Sequence, residues 1–345
     1  MINLYTSQPQ TNEERIDFNK VYSTFIKKAR QDATKEHKCF ICGKTTKFCN
    51  SHSLPRFVLQ NIADNGMVLN SMDFTNPQNQ RKGTGINNSG SFWLICDTCD
   101  NEKFKTYETP ENYDHIPNTS MLKQIAQKSY LREIYKQQIN KGVHLQIEQQ
   151  LKTINGNLPE ITDIDLNDYI NFYNYSNTNA NPYHLCFYKK LDYVVPIACQ
   201  ARVTLVTAFD GKLINDIFDL SAKNKPEDLH ICIFPLKAKS VIILFVRNGQ
   251  KKLRPFYRQL QKLSLEEQLQ TINFIILAYS EEVFVHKKLA TKLQGNKKLA
   301  MVCGLTTIHN GFKDTQSVLK ETMDLYNLNH AADIPNLLSE DFALK

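Results

Sequence analysis

The chain has 345 residues, 41% hydrophobic and 22% charged, with a formal net charge of +7 and a pI near 8.8. That balance suits a globular protein with room for two or three small domains, and its mild basicity permits a polyanionic partner without demanding one. No apolar run reaches the length of a membrane span, and residues 1–8 lack the basic-then-apolar order of a signal peptide, so a cytoplasmic protein with no membrane association is expected.

Residues 1–37 are read as an N-terminal segment carrying an amphipathic helix. Ile16, Phe18, Val21, Tyr22, Phe25, Ile26 and Ala29 recur at helical spacing, and Thr11 with Glu14 makes a capping-box pattern at the start. Residues 38–112 hold two short-spaced cysteine pairs, Cys39-Phe-Ile-Cys42 and Cys96-Asp-Thr-Cys99, on either side of Ser51-His52-Ser53-Leu54-Pro55. Each C-x₂-C turn aims two thiolates at one point, and two such turns supply the four soft ligands of a closed, structural Zn²⁺ site. Between them, 70–91 is rich in Asn, Gly and Ser and reads as a loop or loose hairpin with Arg81 and Lys82 at its tip. A helical connector is expected over 113–155. Residues 156–295 read as an α+β domain of unassigned role, with strands near 183–188, 194–198, 201–207, 229–234 and 241–246 and helices near 255–280 and 282–293. The remaining residues, 296–345, form a mixed-charge tail. The fold class is therefore α+β.

Several residue types leave two readings open. Cys186, Cys199, Cys232 and Cys303 sit in apolar stretches as small hydrophobes, whereas Cys49 is either an inert buried thiol or a spare one beside the metal. Between Asp228 and Glu266 there is no acidic residue, and Lys251, Lys252, Arg254 and Arg258 interleave with Phe256 and Tyr257. Such a segment either tracks phosphates and stacks on bases or is a solvated, charged hairpin and helix. An imidazole at His52 titrates near neutral pH and suits a general base, although a lone histidine is also a common structural residue.

Together Cys39, Cys42, His52, Pro55, Cys96, Cys99 and Asp100-Asn101 resemble the HNH endonuclease family, the ββα-metal nucleases, in its cysteine-containing branch. The resemblance covers residues 38–112. It implies an N-terminal ββα-metal, treble-clef zinc domain that hydrolyses DNA phosphodiesters, with His52 activating water and Asn101 or Asp100 holding the imidazole in orientation. One Mg²⁺ or Mn²⁺ would stabilise the transition state and the leaving oxygen. The family often places Asp, Glu or His before the base, where this chain has Ser51, and its final histidine is absent. Asp100 and Glu108, the latter on a polar helix expected over 104–108, are the carboxylates left for that ion. DNA is the implied partner. The C-terminal half resembles extensions of nucleases from bacterial defence systems, which suggests an antiphage role and a protein partner or trigger, and double-strand cutting would suit a homodimer. The alternative is a non-catalytic treble-clef zinc module that binds nucleic acid or a protein.

Overall fold

The computed structural model describes residues 12–75, 83–152, 164–219, 221, 223–293, 295–307 and 315–344. In chain order the elements are α1 (Asn12–Ala33), β1 (Ser51–His52), α2 (Arg56–Ile62), β2 (Met67–Asn70), β3 (Thr84–Gly85), β4 (Ser91–Phe92), α3 (Asp97–Phe104), α4 (Thr119–Lys152) and α5 (Ile164–Thr178). They continue with β5 (Tyr183–Leu191), β6 (Ile197–Val203), β7 (Leu229–Pro235), β8 (Ser240–Arg247), α6 (Arg254–Leu260), α7 (Leu265–Tyr279), β9 (Val283–Val285), α8 (Lys287–Leu293), α9 (Lys297–Cys303) and α10 (Thr315–Leu325). Helices combined with antiparallel strands make this an α+β protein.

Two compact units are interleaved along the chain. The first comprises Met1–Ser51, Phe92–Phe104 and Tyr130–Thr178; the second comprises His52–Ser91, Lys105–Ser129 and Asn179–Lys345. Segments of the two units thus alternate along the chain.

In the first unit α1 lies against the later turns of α4. A Cβ built on Gly142 would come within 2.8 Å of the Cβ of Ala29, so glycine is what lets the two backbones approach there. One turn on, the buried Gln146 amide donates to the carbonyl of Phe25 at 3.1 Å. Aromatic pairs complete the packing: Tyr130 with Phe172 of α5 at 5.7 Å, Tyr135 with Trp93 at 6.2 Å, and Tyr173 edge-on to Phe40 at 5.2 Å. The expected α1 helix is present, with Phe25 and Ala29 buried. Its Thr11–Glu14 capping pattern lies outside the described side chains.

The second unit is built on a seven-stranded sheet in the order β3-β2-β9-β6-β7-β8-β5. β7 and β8 are covered on both faces and accordingly read as near-continuous apolar runs. On one face the cross-strand sets Cys199–Ile233–Ile242 and Ala201–Ile231–Leu244 join Ile272, Ile275 and Ile276 of α7 and Leu337 and Leu338 of the C-terminal segment in one core. The other face carries polar residues. Gln200 donates to the carbonyl of Ile125 at 3.3 Å and to Ser129 Oγ at 3.2 Å, both on the first turns of α4. Arg202 pairs with buried Asp228 at 2.6 Å. Burial works against ionisation of Asp228, yet Arg202, Thr204 and Arg247 hold its carboxyl below the usual range. Next to them burial keeps His230 neutral, with its pKa lowered to about 3.

Three expected elements differ from those observed. The strands expected at 194–198 and 201–207 are one strand, β6, because Gln200 finds partners on α4 and the ladder runs through it. The helix expected over 255–280 is two helices; α7 restarts at a capping box in which Ser264 Oγ accepts from Glu267 N and the Glu267 carboxylate accepts from Ser264 N. Val283–Val285, expected as helix, is the strand β9, and α8 starts only at Lys287. The loose hairpin expected within 70–91 is present among the described residues. β3 pairs with β2, and β2 pairs with β9, Leu69 opposite Val285, so the hairpin is part of the main sheet. Arg81 and Lys82 lie outside the described residues.

Gly142→Ala tests the helix crossing. Alanine raises intrinsic helix propensity by about 1 kcal/mol, but overpacking against Ala29 is expected to turn this into a net loss of about 1–3 kcal/mol. A lower urea midpoint at unchanged slope checks it, and an unchanged or higher midpoint contradicts the close approach.

Candidate metal centre

Within the first unit, Cys39 and Cys42 sit on a turn closed by Cys39 N donating to Lys44 O at 3.0 Å and Gly43 N to Cys39 O at 2.8 Å. Gly43 has φ +68°, a conformation that costs glycine little, so the residue after the second cysteine is the one that lets the turn fold back. Two bonds knit this turn to the second pair: Phe40 N to Leu94 O at 3.1 Å and Cys49 N to Ile95 O at 2.9 Å. Cys96 then leads into α3, and Cys99 lies in its first turn.

The four sulfurs lie within 4.8 Å of one another, with Cys42 and Cys96 4.0 Å apart. A tetrahedral ion with Zn–S bonds of about 2.3 Å needs sulfurs roughly 3.8 Å apart. The cage therefore has the size and the soft donor set for zinc. Its electrostatics point the same way. Burial opposes ionisation of Cys39, but the N–H groups of Cys42, Cys96 and Ile41 prevail, and its pKa falls to about 7. Burial, together with the neighbouring Cys39 sulfur, pushes Cys96 and Cys99 up. Four thiolates this close need a cation among them to ionise together. Among the described residues these cysteines are the group of Cys, His, Asp and Glu side chains close enough to share an ion.

Asp100, on α3, accepts from Ser51 Oγ at 2.8 Å through one carboxylate oxygen, and Cys49 Sγ stands 3.7 Å from the other. Ser51 is fully buried. Cys49 is half-buried, so its sulfur belongs to the surroundings of Asp100 rather than to the four-sulfur cage. Asn101 is exposed on α3.

His52 opens the second unit. Its Nε2 lies 3.2 Å from the carbonyl oxygen of Ile86. Pro55 is the N-cap of α2, and Gly90, with φ +65°, accepts through its carbonyl from Ser53 N at 2.8 Å. A Cβ at Gly90 would fall 2.6 Å from Ser53 Oγ, so the close approach of the chain to Ser53 relies on glycine here. Glu108 lies beyond the end of α3, and the polar helix expected over 104–108 is absent: Phe104 and Tyr107 are fully buried. The Glu108 carboxylate pairs at 3.0 Å with Nζ of Lys128, itself fully buried.

Lys251, Lys252, Arg254 and Arg258 are exposed. The aromatic half of that reading is corrected, because Phe256 and Tyr257 are buried, Phe256 stacked on Phe209 at 5.4 Å. The Glu227 carboxylate accepts from the backbone N–H groups of Lys251, Lys252 and Leu253. Spacing along the chain gave no warning of that acidic partner.

Fold and site together define an α+β protein with four cysteines placed so that they could hold a metal ion such as zinc, and among the described residues no helix is long and apolar enough to cross a membrane. No protein-family model, curated protein or solved structure matches the chain.

Replacing Cys39 or Cys96 by Ser is expected to abolish zinc binding, measured by elemental analysis, and to loosen the first unit, because a closed zinc site contributes folding free energy directly. Unchanged zinc content in both variants contradicts the four-sulfur site. Glu108→Ala takes a carboxylate from a buried ammonium and is expected to cost about 2–3 kcal/mol in a denaturation experiment, the low side for a buried pair because Glu108 is partly exposed. Stability equal to wild type would free Glu108 for another role.

Proposed function

We propose that the protein is a metal-dependent endonuclease of the HNH type that hydrolyses DNA phosphodiester bonds, with its four cysteines holding a structural zinc in a treble-clef domain. The observation that carries the reading is the bond between His52 and Ile86. A carbonyl oxygen only accepts, so Nε2 carries the hydrogen and Nδ1 of the neutral ring carries the lone pair. In this reading the main-chain carbonyl performs the orienting role expected of Asn101 or Asp100, and Nδ1 is the base.

The chemistry then runs as a water-driven displacement at phosphorus. His52 Nδ1 takes a proton from water, the oxygen forms the new bond to phosphorus, and the 3′ oxygen leaves. A bound Mg²⁺ or Mn²⁺ would supply charge stabilisation for the phosphorus centre and the leaving oxygen. Of the two candidate carboxylates, Glu108 is held by the buried Lys128 ammonium, whereas Asp100 lies on α3 beside the four cysteines. Asp100 is therefore the residue we assign to that ion, and the zinc cysteines hold α3, which carries it.

The Glu108–Lys128 pair also favours a second reading, a zinc module that binds nucleic acid without cutting it. Cleavage of single-stranded, duplex and nicked DNA in Mg²⁺ and Mn²⁺ separates the two. His52→Ala is expected to lower the rate about 10²–10⁴-fold while zinc content and thermal stability stay at wild-type values. Normal cutting by that variant overturns the base assignment, and no cutting by the wild type on any substrate favours the binding module.

A further inference from the structure

Between residues 20 and 47 the chain places eight Lys and Arg residues against two acidic ones, Asp32 and Glu36. From Lys27 onward all seven of these cations are exposed. They run from the last turns of α1 into the first cysteine turn, and the surface there has two adjoining hollows that share Phe48. Lys35 and Lys38 line the smaller, of about 480 Å³; Lys44 and Lys47 line the larger, of about 940 Å³. Trp93, the chain's one tryptophan, also lines the larger hollow, partly exposed and backed by Tyr135 at 6.2 Å between ring centroids. Asp97 and Glu102 of α3 are also in its lining.

We propose that this surface of the first unit is the seat of a single nucleic-acid strand, with phosphates on Lys35, Lys38, Lys44 and Lys47 and a base stacked on the Trp93 indole. The inference rests on the nuclease reading for its class of substrate, but not on His52 or on any catalytic metal. Cations spaced along a groove with an accessible aromatic face are what a strand with unstacked bases requires. Asp97 and Glu102 repel phosphate and leave the lysine side for the backbone. The segment 251–258 has exposed cations but lacks the accessible aromatic face, because Phe256 and Tyr257 are buried, and Glu227 sets a carboxylate on its backbone N–H groups.

The test uses the full-length, zinc-loaded His52→Ala chain, so that DNA is not consumed, with labelled single-stranded and duplex oligonucleotides. Anisotropy is followed across a NaCl series and tryptophan emission is recorded in parallel. Single-stranded DNA is expected to quench Trp93, duplex much less. Lys44→Glu with Lys47→Glu is expected to weaken single-strand binding at least tenfold and to lower the salt slope by about 1.4, two phosphate contacts at roughly 0.7 each. Trp93→Leu is expected to weaken binding about tenfold, with Trp93→Phe retaining most of it. Zinc content is measured for every variant, and one that loses zinc is replaced by Lys35→Glu with Lys38→Glu. Unchanged emission and an unchanged slope overturn the proposal, as does a larger effect from Lys251→Glu with Lys252→Glu. Quenching by DNA that the wild type never cuts upholds this surface and removes the nuclease reading; cutting with Trp93 silent does the reverse.

Discussion

The meeting of four cysteine sulfurs at one point, Cys39 and Cys96 buried, Cys99 half-buried and Cys42 exposed, is the constraint around which the first unit is organised. Sulfurs within 4.8 Å of one another resist ionising together, although surrounding N–H groups pull the Cys39 thiol down to about 7 against its burial. A dication held there would resolve the conflict and join Cys42 to Cys96 across 54 positions of chain. Asp100 sits beside that cage, on the helix whose first turn holds Cys99. The Phe40–Leu94 and Cys49–Ile95 bonds run beside it, Cys99 fixes the first turn of α3, and Ser51 reaches Asp100 from the strand that leads to His52.

The metal centre was legible because its chemistry is local. A C-x₂-C-Gly turn needs only its own five or six residues, and Gly43 supplies the positive φ that closes it. β7 and β8 were legible for another reason: burial on both faces leaves an unbroken apolar run in the sequence. The break between α6 and α7 was hidden because apolar residues keep helical spacing across it, and only Ser264 and Glu267 announced a new start. Val283–Val285 is too short to show alternation, so a strand at the heart of the sheet passed as the beginning of a helix. α5 is rich in Asn and Tyr, poor helix formers, and Tyr173 and Phe172 tie it to Phe40 and Tyr130.

Charge was the least legible property. A run of cations in the sequence says nothing about which carboxylate the fold will bring to it, and Glu227 reaches Lys251 and Lys252 from 24 and 25 positions away. The same holds for single residues. Glu108 looked like a solvent-facing ligand candidate, yet the ammonium it meets belongs to a lysine with no exposed surface. The cations of α1 and the first cysteine turn are spread from Lys27 to Lys47 and interrupted by Asp32, Glu36 and the Cys39–Cys42 turn, so they do not stand out in the sequence as a charge block.

The interleaving of the two units has a consequence for how the protein is made. A ribosome releases β2 and β3 long before β9, the strand that joins them to the rest of the sheet, so this hairpin must wait in the nascent chain with its edge unpaired. The zinc cage, by contrast, has all its ligands by Cys99 and can close early. Metal capture would then pin the ends of the waiting segment together while its future neighbours are still being synthesised, shortening the search that β9 must complete.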